Sequence, residues 1–368
     1  MDLFPKHSSP QRRPALVPLA ASVLLLFLAL LPGLEAQEDP SLPVVYILGT
    51  GGTIAGTGEP GELTGYESGQ ISAEELVAAV PQLEDYARVR AEQIVNVESS
   101  FMTAKIWIEL ANRINELFRQ EDPEVAGVVV PHGTWTLEET AYFLNLTVNS
   151  AKPVVLVGAQ RPPTAISADG PLNLLNAVRV AADPGSRNRG AMVVMNEQIN
   201  AARDVRKSDT YRVDAFRSGD LGLLGYVDAD RIAFYRSPEA RHTHRSEFDV
   251  TALDDLPRVA VVMSHTEASR VTLDALVREG YDGIVLHGHG SGIASPELRE
   301  ALAEVGERIP VIRTAQAPNS RVLDAPGWEG DITLAADNLQ PLKARILLRI
   351  ALAHTRDREE LRRILREY

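Results

Sequence analysis

The sequence predicts an α/β protein of two domains: a larger N-terminal one with a mostly parallel sheet flanked by helices, and a smaller C-terminal α/β domain. Short apolar runs alternate with helix-like patterns along the chain, which is typical of a parallel sheet covered by helices. The polar segment 236–255 breaks this alternation. It is therefore interpreted as a linker between an N-terminal catalytic domain at 43–235 and a C-terminal domain at 256–368.

Seven predicted strands and several helices account for the alternation. The strands are expected at Val44–Leu48, Val125–Val130, Val154–Val157, Ala191–Met195, Val259–Met263, Gly283–Leu286 and Val311–Thr314. Ser72 and Thr136 each precede a glutamate three positions later, which is the pattern of a capping box, and Thr103 precedes a run with apolar spacing of three and four. The chain ends in two helical runs, Lys343–His354 and Arg358–Tyr368.

The first residues have the pattern of an export signal. Basic side chains precede the apolar core Leu19–Leu31, and a small residue, Ala36, stands at a plausible cleavage point. A membrane anchor is the alternative, but this core is short for a membrane span and prolines flank it. We expect a signal peptide over residues 1–36 and a periplasmic or secreted protein that has no membrane contact after cleavage.

Charge and cysteine content exclude several classes of function. The formal net charge is −13, and without residues 1–36, which hold three basic and two acidic side chains, it is near −14. This acidity argues against a nucleic-acid partner, because phosphate binding needs a basic face. The sequence has no cysteine, which excludes disulfides, cysteine nucleophiles and thiolate metal sites.

A glycine-rich loop, GTGGTIAG at Gly49–Gly56, follows the first predicted strand. Ile54 stands where a dinucleotide-binding loop has its third glycine, and the Gly-Lys-Ser/Thr ending of a phosphate-binding loop is missing. The glycines can instead expose backbone N–H groups beside the Thr53 hydroxyl, and these are the components of acyl transfer. The alternative is that they only allow the strand to turn tightly.

Further polar side chains follow neighbouring strands. Thr134 comes after the second predicted strand, and Lys207 follows the fourth. Because ligands bind where parallel strands end, Thr53, Thr134 and Lys207 are expected to meet at one edge of the sheet. A threonine hydroxyl is a weak nucleophile and needs a proton acceptor, for which Tyr66 and a desolvated Lys207 are both candidates.

Seven motifs resemble those of bacterial type II L-asparaginases, over essentially the whole chain from about Pro43. They are GTGGTIAG at Gly49–Gly56, VPHGTWTLEETAYFL at Val130–Leu144, KPVVLVGAQ at Lys152–Gln160, SADGPLNLLN at Ser167–Asn176, ARDVRK at Ala202–Lys207, GYDGIV at Gly280–Val285 and the ending from Lys343. The resemblance implies no metal, no cofactor, and a homotetramer with sites between the N-terminal domain of one subunit and the C-terminal domain of its neighbour. It implies hydrolysis of a small-molecule side-chain amide to aspartate and ammonia, often with some glutaminase activity.

The resemblance also implies roles at matching positions. Thr53 matches the nucleophile, and Tyr66 matches the tyrosine that helps to activate it. Thr134 matches a second catalytic threonine, with Lys207 as its lysine partner. Ser99 matches the serine that binds the α-carboxylate of the substrate.

Two positions depart from the family pattern. Trp135 replaces the aspartate of His-Gly-Thr-Asp-Thr that pairs with the substrate ammonium, and Ser100 replaces a glutamine that contacts the same group. Truncating one partner of a buried charge pair costs about 2–5 kcal/mol, roughly thirty-fold to several thousand-fold in affinity. Trp135 is expected to crowd a small amino acid, to lie on Lys207 as a cation–π partner, or to turn aside and pack on protein.

Other carboxylates are candidates for the same recognition. Glu267 sits where the family often has an asparagine near the site. A neighbouring subunit is expected to supply an acidic group from the loop 323–331, in which Asp324 and Glu329 remain alternatives.

Three functions follow as hypotheses. The leading one is an L-asparaginase that acts through a threonine acyl-enzyme. The others are an amidase whose substrate is altered by Trp135, and a catalytically weak protein that binds an amino acid or amide. No metal site is predicted, because the pairs His242/His244 and His287/His289 lack acidic or cysteine partners at ligand spacing. His132 is expected to orient its loop.

Overall fold

The computed structural model describes residues 39–120, 124–324 and 332–368, so the expected export signal lies outside the described residues. Fourteen strands form three sheets in this part of the chain. The strands are β1 Val44–Gly51, β2 Arg88–Val97, β3 Val125–Pro131, β4 Val154–Val157, β5 Ala191–Met195, β6 Gln198–Ala201, β7 Arg206–Lys207, β8 Phe216–Arg217, β9 Gly225–Val227, β10 Ile232–Phe234, β11 Val259–Met263, β12 Gly283–Gly288, β13 Val311–Ala315 and β14 Leu334–Ala335.

Eight α-helices accompany the strands in the described ranges. They are α1 Ala73–Ala78, α2 Ala104–Arg119, α3 Leu137–Thr147, α4 Gly170–Ala182, α5 Val271–Arg278, α6 Pro296–Gly306, α7 Pro341–His354 and α8 Arg358–Glu367. Short 3-10 turns lie at Thr53–Ala55, Pro81–Asp85, Ser99–Phe101, Pro184–Ser186, Gly219–Leu221 and Thr243–Arg245. None of the helices in the described residues is long and apolar enough to cross a membrane.

The larger sheet has eight strands in the order β10-β9-β6-β5-β4-β3-β1-β2. The five strands from β5 to β2 are parallel, and β6, β9 and β10 extend the sheet in antiparallel pairing. β1 and β3 are neighbours, so the loops that follow them leave the sheet side by side. This confirms the predicted α/β class and places the Thr53 and Thr134 loops next to each other.

The smaller sheet is parallel, in the order β11-β12-β13-β14. Alternate residues of both sheets face different cores, as the period of a strand requires. One core contains α2, α3, α7 and α8 together with one face of each sheet, and the opposite faces are covered by α1 and α4 or by α5 and α6. α7 packs against both α3 and the smaller sheet, which ties the two sheets together.

Two of the three helix N-caps predicted from the sequence are present in the structure. Ser72 forms the full capping box with Glu75, and the Thr103 hydroxyl accepts a hydrogen bond from the amide of Ile106. The capping box predicted at Thr136 is wrong, because the Thr136 hydroxyl makes no cap and donates instead to the carbonyl oxygen of Ser99 across 2.8 Å. The residue therefore connects the start of α3 to a second loop.

The segment 236–255, read as a linker, runs between the last strand of the larger sheet and the first strand of the smaller one. Although most of it is polar, four of its side chains are buried: His242, Thr243, Phe248 and Val250. Phe248 stacks against the C-terminal residue Tyr368, with ring centroids 4.9 Å apart. The connection is thus packed onto the end of the chain.

A buried lysine joins α7 to the segment that leads into β7. Lys343 is fully buried and donates hydrogen bonds to the carbonyl oxygens of Ala202 and Val205, the latter across 2.6 Å. Burial lowers its pKa to about 8. Because Lys207 follows two residues after Val205, this contact supports the strand that carries the Lys207 side chain.

Candidate active site

The glycine-rich loop presents Thr53 at the end of β1. Gly51 and Gly52 have φ values of 95° and 87°, a left-handed region that favours glycine, and Thr53 begins the 3-10 turn directly after them. The Thr53 side chain is buried, and its hydroxyl oxygen lies 2.7 Å from that of Tyr66, in hydrogen-bond contact. The first proton-acceptor candidate therefore touches the candidate nucleophile.

The loop after β3 presents a second hydroxyl with a basic partner. The buried Thr134 accepts a hydrogen bond from the Lys207 ammonium group across 2.7 Å. Burial lowers the pKa of Lys207, and the charge of Asp209 opposes this only partly. The Lys207 amide also donates to a carboxylate oxygen of Glu138 across 3.3 Å, which holds β7 against the start of α3.

The two hydroxyls line one small pocket. It is a narrow pocket with an accessible volume of about 10 Å³, and its walls are formed by Gly52, Thr53, Tyr66, Ser68, Glu98, Ser99, Gly133, Thr134 and Trp135. Lys207 does not line this pocket and reaches it through Thr134. A wider surface cleft near Arg203 and Arg241 lies elsewhere and has neither threonine on its walls.

Three loops lie in close contact at this pocket. A Cβ at Gly52 would lie 2.2 Å from the Gly133 Cα, and a Cβ at Gly133 would lie 2.7 Å from the Ser99 hydroxyl oxygen. Both distances are shorter than atoms can approach, so glycine is required at both positions. The close approach brings Ser99 beside the two threonine loops.

Two amide groups at the pocket are available for a developing negative charge. In the described part of the chain, the N–H groups of Thr53 and Thr134 donate to no backbone carbonyl. Backbone N–H groups in this situation are the usual donors of an oxyanion hole. The sequence prediction of free amides beside a hydroxyl is thus consistent with the loop geometry.

His132 sits beneath the Thr134 loop in a directed hydrogen-bond chain. The Trp107 indole N–H donates to the Thr140 hydroxyl across 2.8 Å, and Thr140 lies 2.9 Å from the His132 Nε2. The other ring nitrogen lies 2.7 Å from the Gly133 carbonyl oxygen. Burial lowers the His132 pKa to about 4, so the ring is neutral, with its proton on Nδ1 for Gly133.

Trp135 stands at the rim of the pocket. Its side chain is 61 % exposed, so it neither packs on protein nor fills the space between the threonines. In the described part of the chain no lysine lies over its ring, and Lys207 bonds Thr134 instead. Of the three placements expected for Trp135, the cation–π contact with Lys207 and packing on protein are not seen here, and crowding of a small amino acid stays a prediction.

The segment that follows β2 contributes differently from the expectation. Ser99 lines the pocket, and its hydroxyl has no hydrogen-bond partner among the described residues. Ser100 does not line the pocket, and its hydroxyl donates to the carboxylate of Glu98. Glu98 lines the pocket and was missed by sequence reasoning; its only signal is its position directly before Ser99.

The other candidate carboxylates lie away from this pocket. Glu267 is exposed, with φ at 59°, in the loop after β11, and it does not line the pocket of its own chain. Asp324 forms ion pairs with Arg362 and Arg366 of α8, at 3.1 and 2.8 Å. Glu329 lies outside the described residues.

The two histidine pairs form no metal site in the described ranges, where no cluster of three suitable ligands occurs. His242 packs edge-on against His244 and hydrogen-bonds the Thr243 hydroxyl. Burial lowers the His242 pKa to about 4. This pair thus has a packing role in the connection between the sheets.

Comparisons with known proteins agree with this architecture. The model of the asparaginase N-terminal domain matches residues 44–240, and that of the glutaminase/asparaginase C-terminal domain matches residues 258–365. The L-asparaginase 2 of Escherichia coli (strain K12) is 44% identical over 331 residues, 89% of this chain and 94% of that protein. The chain belongs to the asparaginase family.

Two further relatives differ in the cellular location that their names give. The probable periplasmic L-asparaginase of Haemophilus influenzae is 41% identical over 339 residues, 91% of this chain and 96% of that protein. The crystal structure of a probable cytoplasmic L-asparaginase from Campylobacter jejuni matches with a TM-score of 0.85 and 42% identity, covering 89% of this chain and 100% of that one.

Proposed function

We propose that the protein hydrolyses the side-chain amide of L-asparagine to L-aspartate and ammonia, with Thr53 as the nucleophile. One observation carries the proposal: two hydroxyls line a single pocket, each 2.7 Å from a group able to transfer a proton. A positioned acid–base partner of this kind contributes about 10²–10⁴-fold to a rate. Membership of the asparaginase family supports the choice of an amide substrate.

The first half-reaction forms an ester on Thr53. Its hydroxyl oxygen bonds to the amide carbonyl carbon while the hydroxyl proton moves toward Tyr66, and the carbonyl electron pair goes to oxygen. The free amide groups of Thr53 and Thr134 are the proposed donors to this oxyanion. The oxyanion electron pair then re-forms the carbonyl while the carbon–nitrogen bond breaks, and the nitrogen takes the proton that Tyr66 received and leaves as ammonia.

The second half-reaction hydrolyses the ester and restores the free Thr53 hydroxyl. A water molecule attacks the ester carbonyl, and its proton passes through the Thr134 hydroxyl to a neutral Lys207 amine. The carbonyl then re-forms as the ester bond breaks, the Thr53 oxygen takes back the proton that Lys207 received, and aspartate leaves. The lowered pKa of Lys207 supports this role, because it increases the fraction of neutral amine near neutral pH.

A second candidate is an amidase with another substrate, because Trp135 lines the pocket. The size of the pocket favours a small amide over a bulky one. Its accessible volume of about 10 Å³ is far below the roughly 300–1,000 Å³ of sites for drug-sized ligands. Glutamine is one methylene longer than asparagine, and glutaminase activity is the alternative closest to the main proposal.

Ammonia release tests these functions. The wild type, Thr53→Ala and Trp135→Asp are assayed on asparagine, glutamine and bulkier amides, with Thr272→Ala on the exposed face of α5 as a matched control. We expect asparagine turnover that is lost only in Thr53→Ala. A Trp135→Asp variant far more active on asparagine would support altered recognition. Binding of asparagine without turnover, seen by calorimetry, would support the third hypothesis of a binding protein.

Export and assembly belong to the same proposal. The pattern of residues 1–36 and the periplasmic name of the Haemophilus influenzae relative support a signal peptide, whereas the Campylobacter jejuni relative is named cytoplasmic. The homotetramer is supported by the family resemblance and by exposed Phe101 and Trp135 beside the pocket. N-terminal sequencing of the exported chain tests the signal peptide, and light scattering of the purified protein tests the homotetramer. Limited proteolysis tests the domain boundaries 43–235, 236–255 and 256–368.

A further inference from the structure

We infer that the carboxylate of Glu98 binds the α-ammonium group of the substrate, in place of a residue at position 135. Glu98 is the only acidic residue among those that line the threonine pocket in the described part of the chain. The inference rests on the proposed function, because it assumes an α-amino acid in that pocket. It makes the site selective for amides that carry a free amino group.

Trp135 creates the need for such a residue. An indole has no negative charge, so the side chain at this position cannot neutralise an ammonium group inside the pocket. A buried ammonium without a partner would weaken binding strongly. A free amino acid in the pocket therefore needs another carboxylate, and among the described residues of the same chain Glu98 is the acidic residue that lines it.

The position of Glu98 fits the geometry of an amino acid. The α-ammonium and α-carboxylate groups are attached to a single carbon atom, so their protein partners must lie close together. Ser99, with its unengaged hydroxyl, is the neighbouring residue, and adjacent Cα atoms are about 3.8 Å apart. The consecutive pair thus offers an acceptor for the ammonium and a donor for the carboxylate.

Ser100 positions the Glu98 carboxylate. Its hydroxyl donates to one carboxylate oxygen of Glu98 and leaves the second oxygen for a ligand. Ser99 is fixed in turn by the hydrogen bond from Thr136 to its carbonyl oxygen. Glu98 is half-buried, so a charge pair formed there is partly shielded from water.

The test compares substrates with and without the amino group. Glu98→Gln keeps the shape of the side chain and removes its charge, and Glu109→Gln makes the same charge change on the exposed face of α2. Turnover of asparagine is compared with that of succinamic acid, which has the same amide and carboxylate but no amine. The ratio of the two kcat/KM values is independent of the fraction of correctly folded enzyme.

We expect Glu98→Gln to lower this ratio about thirty-fold or more, mainly through KM for asparagine, while Glu109→Gln leaves it unchanged. An unchanged ratio in Glu98→Gln would overturn the inference.

A binding measurement separates this result from a failure of the proposed function. Calorimetry compares the binding of L-aspartate and of succinate to Thr53→Ala, with and without the Glu98→Gln substitution. If wild type releases no ammonia but Glu98→Gln still abolishes the preference for aspartate, the proposed function fails and the inference holds. If aspartate is not preferred over succinate when Glu98 is present, the inference fails.

Discussion

Lys207 donates a hydrogen bond to the hydroxyl of Thr134 across 2.7 Å, while burial lowers the pKa of the same lysine. The hydrogen bond and the burial affect the Lys207 amine in different ways. The hydrogen bond positions the amine, and desolvation makes its neutral form accessible at lower pH. A lysine in this state is suited to accept a proton, and four predictions follow from it and from the surrounding contacts.

The pH dependence of turnover should report the Lys207 amine. Activity that needs neutral Lys207 rises with pH and levels off below the usual lysine value of about 10.4, because burial lowers the pKa. Lys207→Met should lose at least about 100-fold in kcat and also lose the rising limb of the profile. Lys105→Met, at an exposed position of α2, is the control. If the activity of Lys207→Met still rose with pH in the same way, Lys207 would not be the proton acceptor.

Removing the Tyr66 hydroxyl should affect chemistry and leave binding intact. Tyr66→Phe deletes the partner that lies 2.7 Å from the Thr53 oxygen and keeps the ring. We expect kcat to fall by about 10²–10⁴-fold, with the dissociation constant for aspartate changed less than about two-fold. Tyr211→Phe, at a side chain that is 76 % exposed, provides the comparison. Equal loss of binding and turnover would point to a structural role for the tyrosine.

The chain of hydrogen bonds under the Thr134 loop should stabilise the fold. Thr140→Val leaves the Trp107 indole N–H and the His132 Nε2 buried without partners. Each unsatisfied group costs about 1–3 kcal/mol, so the free energy of unfolding should fall by at least about 2 kcal/mol. Urea denaturation measures this loss. Thr272→Val on the surface of α5 should change stability by less than about 0.5 kcal/mol, and an equally small change in Thr140→Val would refute the prediction.

Lys343 should make the protein more stable as the solution becomes alkaline. Its pKa is about 8 in the folded protein and about 10.4 in an unfolded chain. Between these values the unfolded state holds a proton that the folded state has released, so the free energy of unfolding rises with pH, by about 3 kcal/mol in total. Below pH 8 both states are protonated, and the contribution is constant.

The comparison that isolates this effect is wild type against Lys343→Met. The difference in their unfolding free energies, measured in urea at pH 7.5, 9 and 10, should grow with pH in favour of the wild type. Lys105→Met should follow the wild type at each pH. A constant difference between wild type and Lys343→Met would mean that the buried amine does not change its protonation on unfolding.

Periodicity predicted the fold well where strands are buried. All seven predicted strands are present, each within two residues of its expected end or longer at the carboxyl side. β2 was missed because its sequence, RVRAEQIVNV, carries charges, which an edge strand that pairs only with β1 tolerates. The two-residue strands β7, β8 and β14 are too short to give a pattern.

The sequence predicts those parts of the candidate site that depend only on which strands are neighbours. Adjacent parallel strands bring the Thr53 and Thr134 loops together, and the family motifs name both threonines. Side-chain partners were harder, because they depend on contacts between distant segments. Thr136 looked like a helix cap and instead holds Ser99, and Ser100 bonds Glu98 rather than lining the pocket. No local pattern distinguishes these alternatives.

The contact between Gly52, Gly133 and Ser99 limits how this enzyme can change. A methyl group at either glycine would push two loops apart and so separate the threonines. The reactive centre therefore has almost no tolerance for new side chains, whereas the rim positions Glu98 and Trp135 carry no such restriction. Natural drift or laboratory evolution toward new amides should accumulate substitutions at the rim positions and leave Gly52 and Gly133 unchanged.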